Sequence, residues 1–506
     1  SLKALTFATL LSVDSCSAVI MAPVGRNVAF VFPDIPGRVS PSLGLARELV
    51  GLGVGVRYLC PSESLRAAVE ATGATFHSAV EWQPELYDGR EHRPPLGIWG
   101  AVMRELEVPV SDSRGSVALA HTQVSNIMLE LQLPGVRRFL RSVAPSVVVF
   151  DPLIGGTREA FHAAQLLRIP TLALLTLAGP GAYADHIAHS GKSADFEAAV
   201  ESFSPHADAT ARLNFLYGLG LPVCMEPPGL MDVGNSLVLV TTSEAQADPL
   251  SDELADVYRA QGTTFHYVGP LLHTNSALCA GGPVDEAEAV VAAREACARG
   301  RPVVLVDVGN ALTSDALHGS EVCAVGADSQ ARGLTDSELC RGALAGAFAA
   351  LGADGADEGP LVLVASGSER GALGELRPPP NCMVRPALPQ VDILRAGVDV
   401  LLTHGGQSSL CEALATGTSV VVCAGTSGQR AVDRPDPGAG SEAEAAATYA
   451  LDVERALLDV LAESSHRVAA KRQADGLART GGAPRAAELV AAASARADGF
   501  RPGASF

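Results

Sequence analysis

Short, mainly apolar runs recur along the chain at residues 28–32, 54–59, 146–150, 171–175, 237–241, 303–306, 361–365 and 398–403. Runs of this kind, rich in valine and leucine, read as strands buried on both faces of a parallel sheet. A shorter strand is expected at 74–77. Between the runs lie stretches with helical spacing of apolar residues, at 43–51, 62–71, 118–143 (broken by Pro134), 157–167 and 337–351. From Tyr449 to about residue 493 the chain reads as largely helical. The strand–helix–strand rhythm, met once in each half, predicts an α/β fold of two doubly wound parallel sheets. Residues 81–114 hold both tryptophans, Trp82 and Trp99, without regular periodicity. They read as a variable loop or as a surface excursion capped by its aromatics. Residues 180–222 are mixed in polarity and read as helices. The Gly/Ser/Asp-rich stretch 312–335 reads as an inserted loop. No repeat of solenoid length is present.

Length agrees with that division, because 506 residues exceed one ordinary core. A net charge of -19 argues against nucleic acid or an anionic membrane as partner. It also means that an anionic ligand must be held by local donors and not by a general field. The ten cysteines include no C-x-x-C pair, the usage expected of reduced thiols in a cytoplasmic protein. No apolar run is long enough for a transmembrane anchor. Residues 1–25 form an N-terminal extension or a weak presequence, since the apolar patch 4–13 follows Lys3. No His/Cys group has metal-ligand spacing.

The most informative stretch is 398–417, VDVLLTHGGQSSLCEALATG. It reads as a buried strand, a His404-Gly405-Gly406 turn, and a helix from Gln407 that Gly417 ends. Ser408 and Ser409 fall in the first helical turn, where free N–H groups and the dipole favour an anion. Glu412 lies on the same face as Ser408 and is placed to accept hydrogen bonds from a ribose. Taken alone, the stretch fits an ordinary strand–helix unit equally well.

Its neighbourhood adds to this. The run from Pro389 to Gln429 resembles the nucleotide-sugar signature of the family 1 UDP-glycosyltransferases, closest to the bacterial macrolide and sterol-glucosyltransferase-like branches. That pattern is roughly P-Q-x-x-[IV]-L, then T-H-x-G-x-x-[ST]-x-x-E-[AS]-L-x-x-G-x-P, then D-Q. Pro389, Gln390, Leu394, Thr403, His404, Gly406, Ser409, Glu412, Ala413, Leu414, Gly417 and Gln429 match it, and Ser419 replaces the proline. The motif Val268-Gly269-Pro270-Leu271 and the segment Gly481-Gly482-Ala483 also resemble family segments.

The resemblance implies a GT-B fold, two Rossmann-like domains facing a cleft. The divisions are 26–275 for an acceptor-binding domain, 276–301 for a linker, 302–480 for a nucleotide-sugar-binding domain, and 481–506 for a C-terminal helix and tail. It implies inverting, metal-independent transfer of a hexose, glucose being expected, from a UDP-sugar to a hydroxyl of a small lipophilic acceptor, with no cofactor. Donor contacts would come from Gly309, Asn310, Ala387, Pro389, Gln390, His404, Gly406, Gln407, Ser408, Ser409, Glu412, Gly428 and Gln429. Gly428 stands where the family has an acidic residue, and Ala387 where plant members stack a tryptophan on uracil.

One departure bears on the chemistry. The family's base is the histidine of G-H-[IV]-N-P, held by an aspartate; here Gly37-Arg38-Val39-Ser40-Pro41 puts Arg38 at that position. A guanidinium cannot act as a base near neutral pH. Asp151 matches the aspartate, so an Arg38–Asp151 ion pair is expected. Asp34 is either a substitute base or a turn residue. About fifteen to twenty residues are missing after Gln429 by the usual length of a loop and helix, which would uncover one flank of the second sheet. The alternative function is therefore a non-catalytic homologue that binds a nucleotide-sugar or lipophile without turnover.

Overall fold

The computed structural model describes residues 27–92, 97–108, 114–153, 155–184, 194–223, 230–273, 283–308, 336–367, 373–423 and 442–498. Two all-parallel sheets carry the fold. The first takes β1 (Asn27–Val31), β2 (Gly55–Cys60), β3 (Thr75–Ser78), β4 (Val147–Phe150), β5 (Thr171–Leu175), β6 (Leu237–Val240) and β7 (Thr264–Tyr267) in the order 3-2-1-4-5-6-7. The second takes β8 (Val303–Asp307), β9 (Leu361–Ala365), β10 (Cys382–Arg385), β11 (Val400–Thr403) and β12 (Ser419–Val422) in the order 10-9-8-11-12. In each sheet the order of strand addition reverses once, between β1 and β4 and between β8 and β11. At such a switch point the loops leaving the strands diverge and open a crevice at their carboxyl ends. The two switch points therefore fix where ligands are to be sought.

Interior strands β4 (VVVF) and β5 (TLALL) are buried throughout, as their apolar runs predict. The edge strands β7 (TFHY) and β10 (CMVR) are half-buried and carry no such run, so the apolar pattern does not reveal them. Helix α1 (Pro36–Gly51) begins earlier than the expected residue 43 and runs through Pro41. Pro36 sits in the first turn, where its fixed φ suits a helix and its missing N–H costs nothing. Arg38 thus stands on a helical turn and not in a loop. Helix α2 (Arg114–Val143) is likewise continuous through Pro134, and its packing outweighs the local penalty. Part of the expected surface excursion is core: Leu86, Tyr87, Ile98, Val102 and Met103 pack with Val124 and Met128 of α2.

Residues 276–301, expected as a linker, include helix α3 (Pro283–Ala298), whose Ala289, Ala293 and Ala296 pack into the core of the second sheet. That core is closed on the other face by α4 (Asp336–Leu351) and α7 (Glu442–Ala462). Helix α5 (Gln390–Gly397) follows β10, and α6 (Gln407–Ala415) follows β11. Along β12, Ser419 and Val421 are buried and Val420 and Val422 half-buried, with α7 and α8 (Ser464–Ala478) packed on the strand. The flank expected to be bare is covered to that extent. The last helix, α9 (Gly482–Asp498), crosses back to the first sheet. Its Ala483, Ala486, Ala487 and Val490 join the core around β1 and α1, and Ser494 hydrogen-bonds Ser146 ahead of β4. Among the described residues no helix is long and apolar enough to cross a membrane, and the six cysteines form no disulfide with one another.

Candidate nucleotide-sugar and acceptor site

At the switch point of the second sheet, β11 ends in Thr403, fully buried and paired in register with Asp307 at the end of β8. His404 and the two glycines then turn the chain into α6. Gly405 takes φ 86°, which only glycine adopts without strain. At Gly406 an added Cβ would lie 2.7 Å from His404 Nε2, so a side chain there would push the imidazole aside. Gly406 caps α6 without a side-chain acceptor. The first-turn N–H groups, the half-buried Ser408 and Ser409, and His404 therefore gather at one helix N-terminus.

Two expected donor residues turn inward. Gln390, at the start of α5 after the buried Pro389, donates from Nε2 to Glu412 Oε2 at 2.6 Å. Burial pushes the Glu412 carboxyl up to about 7, with Gln390 opposing and Asp307 adding to the shift. Gln407 donates to Cys411 Sγ at 3.0 Å, along its own helix. Ala387 is half-buried before Pro389. Gly309, Asn310, Gly428 and Gln429, with the segment after Gln429 and residues 1–25, lie outside the described residues.

At the switch point of the first sheet, the expected ion pair is present: Arg38 Nη1 donates to Asp151 Oδ2 at 3.0 Å. Asp151 is wholly buried at the end of β4, and the Arg38 side chain is 21% exposed. The loop after β4 fixes the carboxylate. Leu153 N donates to Asp151 Oδ1 and Asp151 N to Thr157 Oγ1, which itself donates to Val31 O. Gly156 is needed there, since a Cβ would meet the Asp151 and Leu153 carbonyls at 2.6 Å. Burial raises the Asp151 carboxyl and the Arg38 charge opposes that.

Asp34 is half-buried beside Gly97, and burial raises its carboxyl above the usual range. Two residues to which the sequence analysis gave no role join this end. Glu159, buried on the helix after the Asp151 loop, is pushed up to about 8 by burial. Tyr87 is buried where the charges of Glu159 and Asp34 both reach it. In the sequence Glu159 shows only as a glutamate that follows Arg158 at the start of a helical stretch.

A hydrogen bond joins the two ends. Pro41 has no N–H to offer the carbonyl four residues back, that of Gly37. Ser408 Oγ, from the first turn of α6, donates to Gly37 O at 2.8 Å. The helix turn that carries Arg38 thus abuts the helix N-terminus that carries His404.

This pair of facing switch points defines a GT-B chain. No family model matches the sequence and no curated protein does. Three solved structures share the fold over nearly the whole length. The calicheamicin glycosyltransferase CalG4 is 21% identical, with a TM-score of 0.56, over 94% of this chain and 99% of its own. The glycotransferase of kitacinnamycin is 20% identical, with a TM-score of 0.53, over 93% and 100%. The spinosyn forosaminyltransferase SpnP is 15% identical, with a TM-score of 0.52, over 94% and 100%. At such identities the likeness speaks for the architecture, and the fold is that of these GT-B glycosyltransferases.

Proposed function

We propose that the chain is a glycosyltransferase that moves a hexose from a nucleoside-diphosphate sugar to a small lipophilic acceptor, with inversion. The observation that carries this reading is the uncapped N-terminus of α6. It lies behind the His404-Gly405-Gly406 turn at one switch point and touches the other sheet's switch-point helix through Ser408. A diphosphate placed there meets N–H groups, the Ser409 hydroxyl and an imidazole, and the growing charge on the leaving group falls on the positive end of a helix. No metal is required in this scheme. Glucose and UDP are the expected sugar and nucleotide. Glu412, held by Gln390 at the other side of the helix turn, is the expected ribose acceptor. The 302–480 part serves the donor and the 26–275 part the acceptor.

The second reading, binding without turnover, is favoured by the Arg38–Asp151 pair, which removes the imidazole base. Calorimetric titration with UDP, TDP and UDP-glucose, without metal, separates the two from an empty fold. Binding lost in His404→Ala is expected. Undiminished binding in that variant would show that the nucleotide sits elsewhere. Release of the nucleoside diphosphate from the bound sugar decides between transfer and binding alone.

A further inference from the structure

We infer that His92 is the catalytic base of this site: its Nε2 takes the proton of the acceptor hydroxyl, and Asp34 balances the imidazolium that results. This rests on the transferase reading above and adds a residue to it. A neutral alcohol must lose its proton as the new bond forms, and a base within reach speeds that step by about 10² to 10⁴-fold. Imidazole is the side chain suited to the task near neutral pH.

The hydrogen bonding of His92 settles where its proton lies. Nδ1 is 2.9 Å from Arg90 O. A carbonyl oxygen only accepts, so the neutral ring carries its proton on Nδ1 and keeps its lone pair on Nε2. The strand of chain that presents the ring is clamped. Arg90 donates from Nε and Nη2 to the two oxygens of Glu105, at 2.6 and 2.9 Å, and from Nη1 to Leu86 O at 2.6 Å. Arg104 Nη2 donates to Glu91 O at 2.9 Å. Residues 90–92 are thereby fastened to the helix Gly97–Glu105, and the His92 ring meets the buried Tyr87 edge to face, centroids 5.1 Å apart.

Asp34 links this ring to the donor end. It follows β1 at the first switch point and precedes Gly37, whose carbonyl meets Ser408 at the N-terminus of α6. Gly97, at the start of the clamped helix, abuts it: a Cβ there would stand 3.5 Å from Asp34 Oδ1. Burial raises the Asp34 carboxyl, and its own backbone N–H and the His92 charge oppose that rise. A proton arriving on His92 is therefore stabilised by a carboxylate beside the crevice. In the transfer the acceptor O–H bond breaks, its proton passes to His92 Nε2, and the oxygen forms the bond to the anomeric carbon. The bond from that carbon to the diphosphate oxygen breaks, and its electron pair leaves with the nucleoside diphosphate. Another imidazole at this switch point, His121, lies beside Gly155 and 5.5 Å from the Trp99 ring, and it supplies the control.

Nucleophiles of differing acidity test this without knowledge of the natural acceptor. Nucleoside diphosphate release from UDP-glucose and TDP-glucose is measured with the full chain at about pH 8 in benzyl alcohol, 4-nitrophenol or sodium azide. Benzyl alcohol needs a base, whereas 4-nitrophenol is largely ionised there and azide has no proton to lose. His92→Gln, which keeps a side-chain N–H for Arg90 O, should slow release to benzyl alcohol about a hundredfold or more. Release to the two anions should stay within about threefold of the parent, and nucleotide binding by calorimetry should not change. Asp34→Asn should slow the benzyl alcohol reaction about tenfold with the same selectivity. Equal loss with all three nucleophiles in His92→Gln would make the residue a structural support and overturn the inference. No loss there, with a selective loss in His121→Gln or Asp34→Asn, would overturn it too, place the base at that residue, and leave the transferase reading standing. So would release to the anions and none to benzyl alcohol in the parent, which would mean that no base is present. Nucleotide binding with no release to any of the three in the parent would overturn both.

Discussion

Glu412→Gln should stabilise the second half of the molecule at pH 8 and have little such benefit at pH 4.5. The carboxyl is 8% exposed and takes one strong hydrogen bond, from Gln390 at 2.6 Å. Burial moves it from 4.5 to about 7. Because its folded pKa is raised, the folded chain holds a proton that the unfolded chain has released between those values. Stability therefore falls as pH rises through that window, and the whole penalty is present above about 7. At about 1.4 kcal/mol per pH unit, the gap from 4.5 to about 7 is worth about 3 kcal/mol. Glutamine keeps an oxygen for the Gln390 N–H and carries no charge to bury. It adds an amide N–H pair that costs about 1 kcal/mol at every pH. The variant should thus lose slightly at pH 4.5 and gain about 2 kcal/mol at pH 8. Both tryptophans lie in the first half, so fluorescence does not report on this site. Amide exchange of β11 and α6 does, with protection factors compared between variant and parent at each pH. A change of equal size at both pH values would refute the argument, since the difference between them is the only part that burial of the charge predicts.

Arg38→Met leaves Asp151 buried without its cation and should cost about 3 kcal/mol, whereas Asp151→Asn leaves a partly solvated arginine and should cost about half as much. Urea unfolding followed by Trp82 and Trp99 checks the order, and equal losses would contradict it. Ser408→Ala should cost about 1 kcal/mol in the parent and nearly nothing in Pro41→Ala, where residue 41 regains the N–H that Gly37 O lacks. A double-mutant cycle on unfolding free energy measures this, and additive losses would mean that the two do not share the carbonyl. Gly406→Ala should displace the His404 ring and weaken nucleotide binding at least tenfold while β11 and α6 remain folded. Calorimetry with UDP alongside amide exchange reads both, and unchanged affinity would place His404 away from the phosphates.

What could be read from the sequence follows burial. A strand covered on both faces must be apolar at every position, so β4 and β5 announce themselves. The edge strands β7 and β10 have one open side and a mixed composition. The start of α1 was hidden because Pro41 reads as a helix breaker, while Pro36 is what a helix start tolerates. Helix α3 resembles a linker because its buried face is mostly alanine, whose small side chain gives a weak apolar signal. At the site, the turn and helix around His404 were legible as a local pattern, and so was the Arg38–Asp151 pair once each position was matched. The Ser408–Gly37 bond spans 371 residues and depends on how two sheets face each other, which no local pattern encodes. The burial that moves Glu159 and Glu412 is likewise a property of the packed molecule.

The return of α9 to the first sheet sets a timetable for synthesis. The strands of that sheet have all been synthesised once Tyr267 is added, yet four apolar positions of its core arrive only with Ala483 to Val490. At ordinary elongation rates the gap lasts about 10 to 50 s. For that interval the nascent first half has an open groove beside α1, and the second sheet is built while the first still waits for its closing piece. The sheet that is made first is thus sealed only after the second has been built.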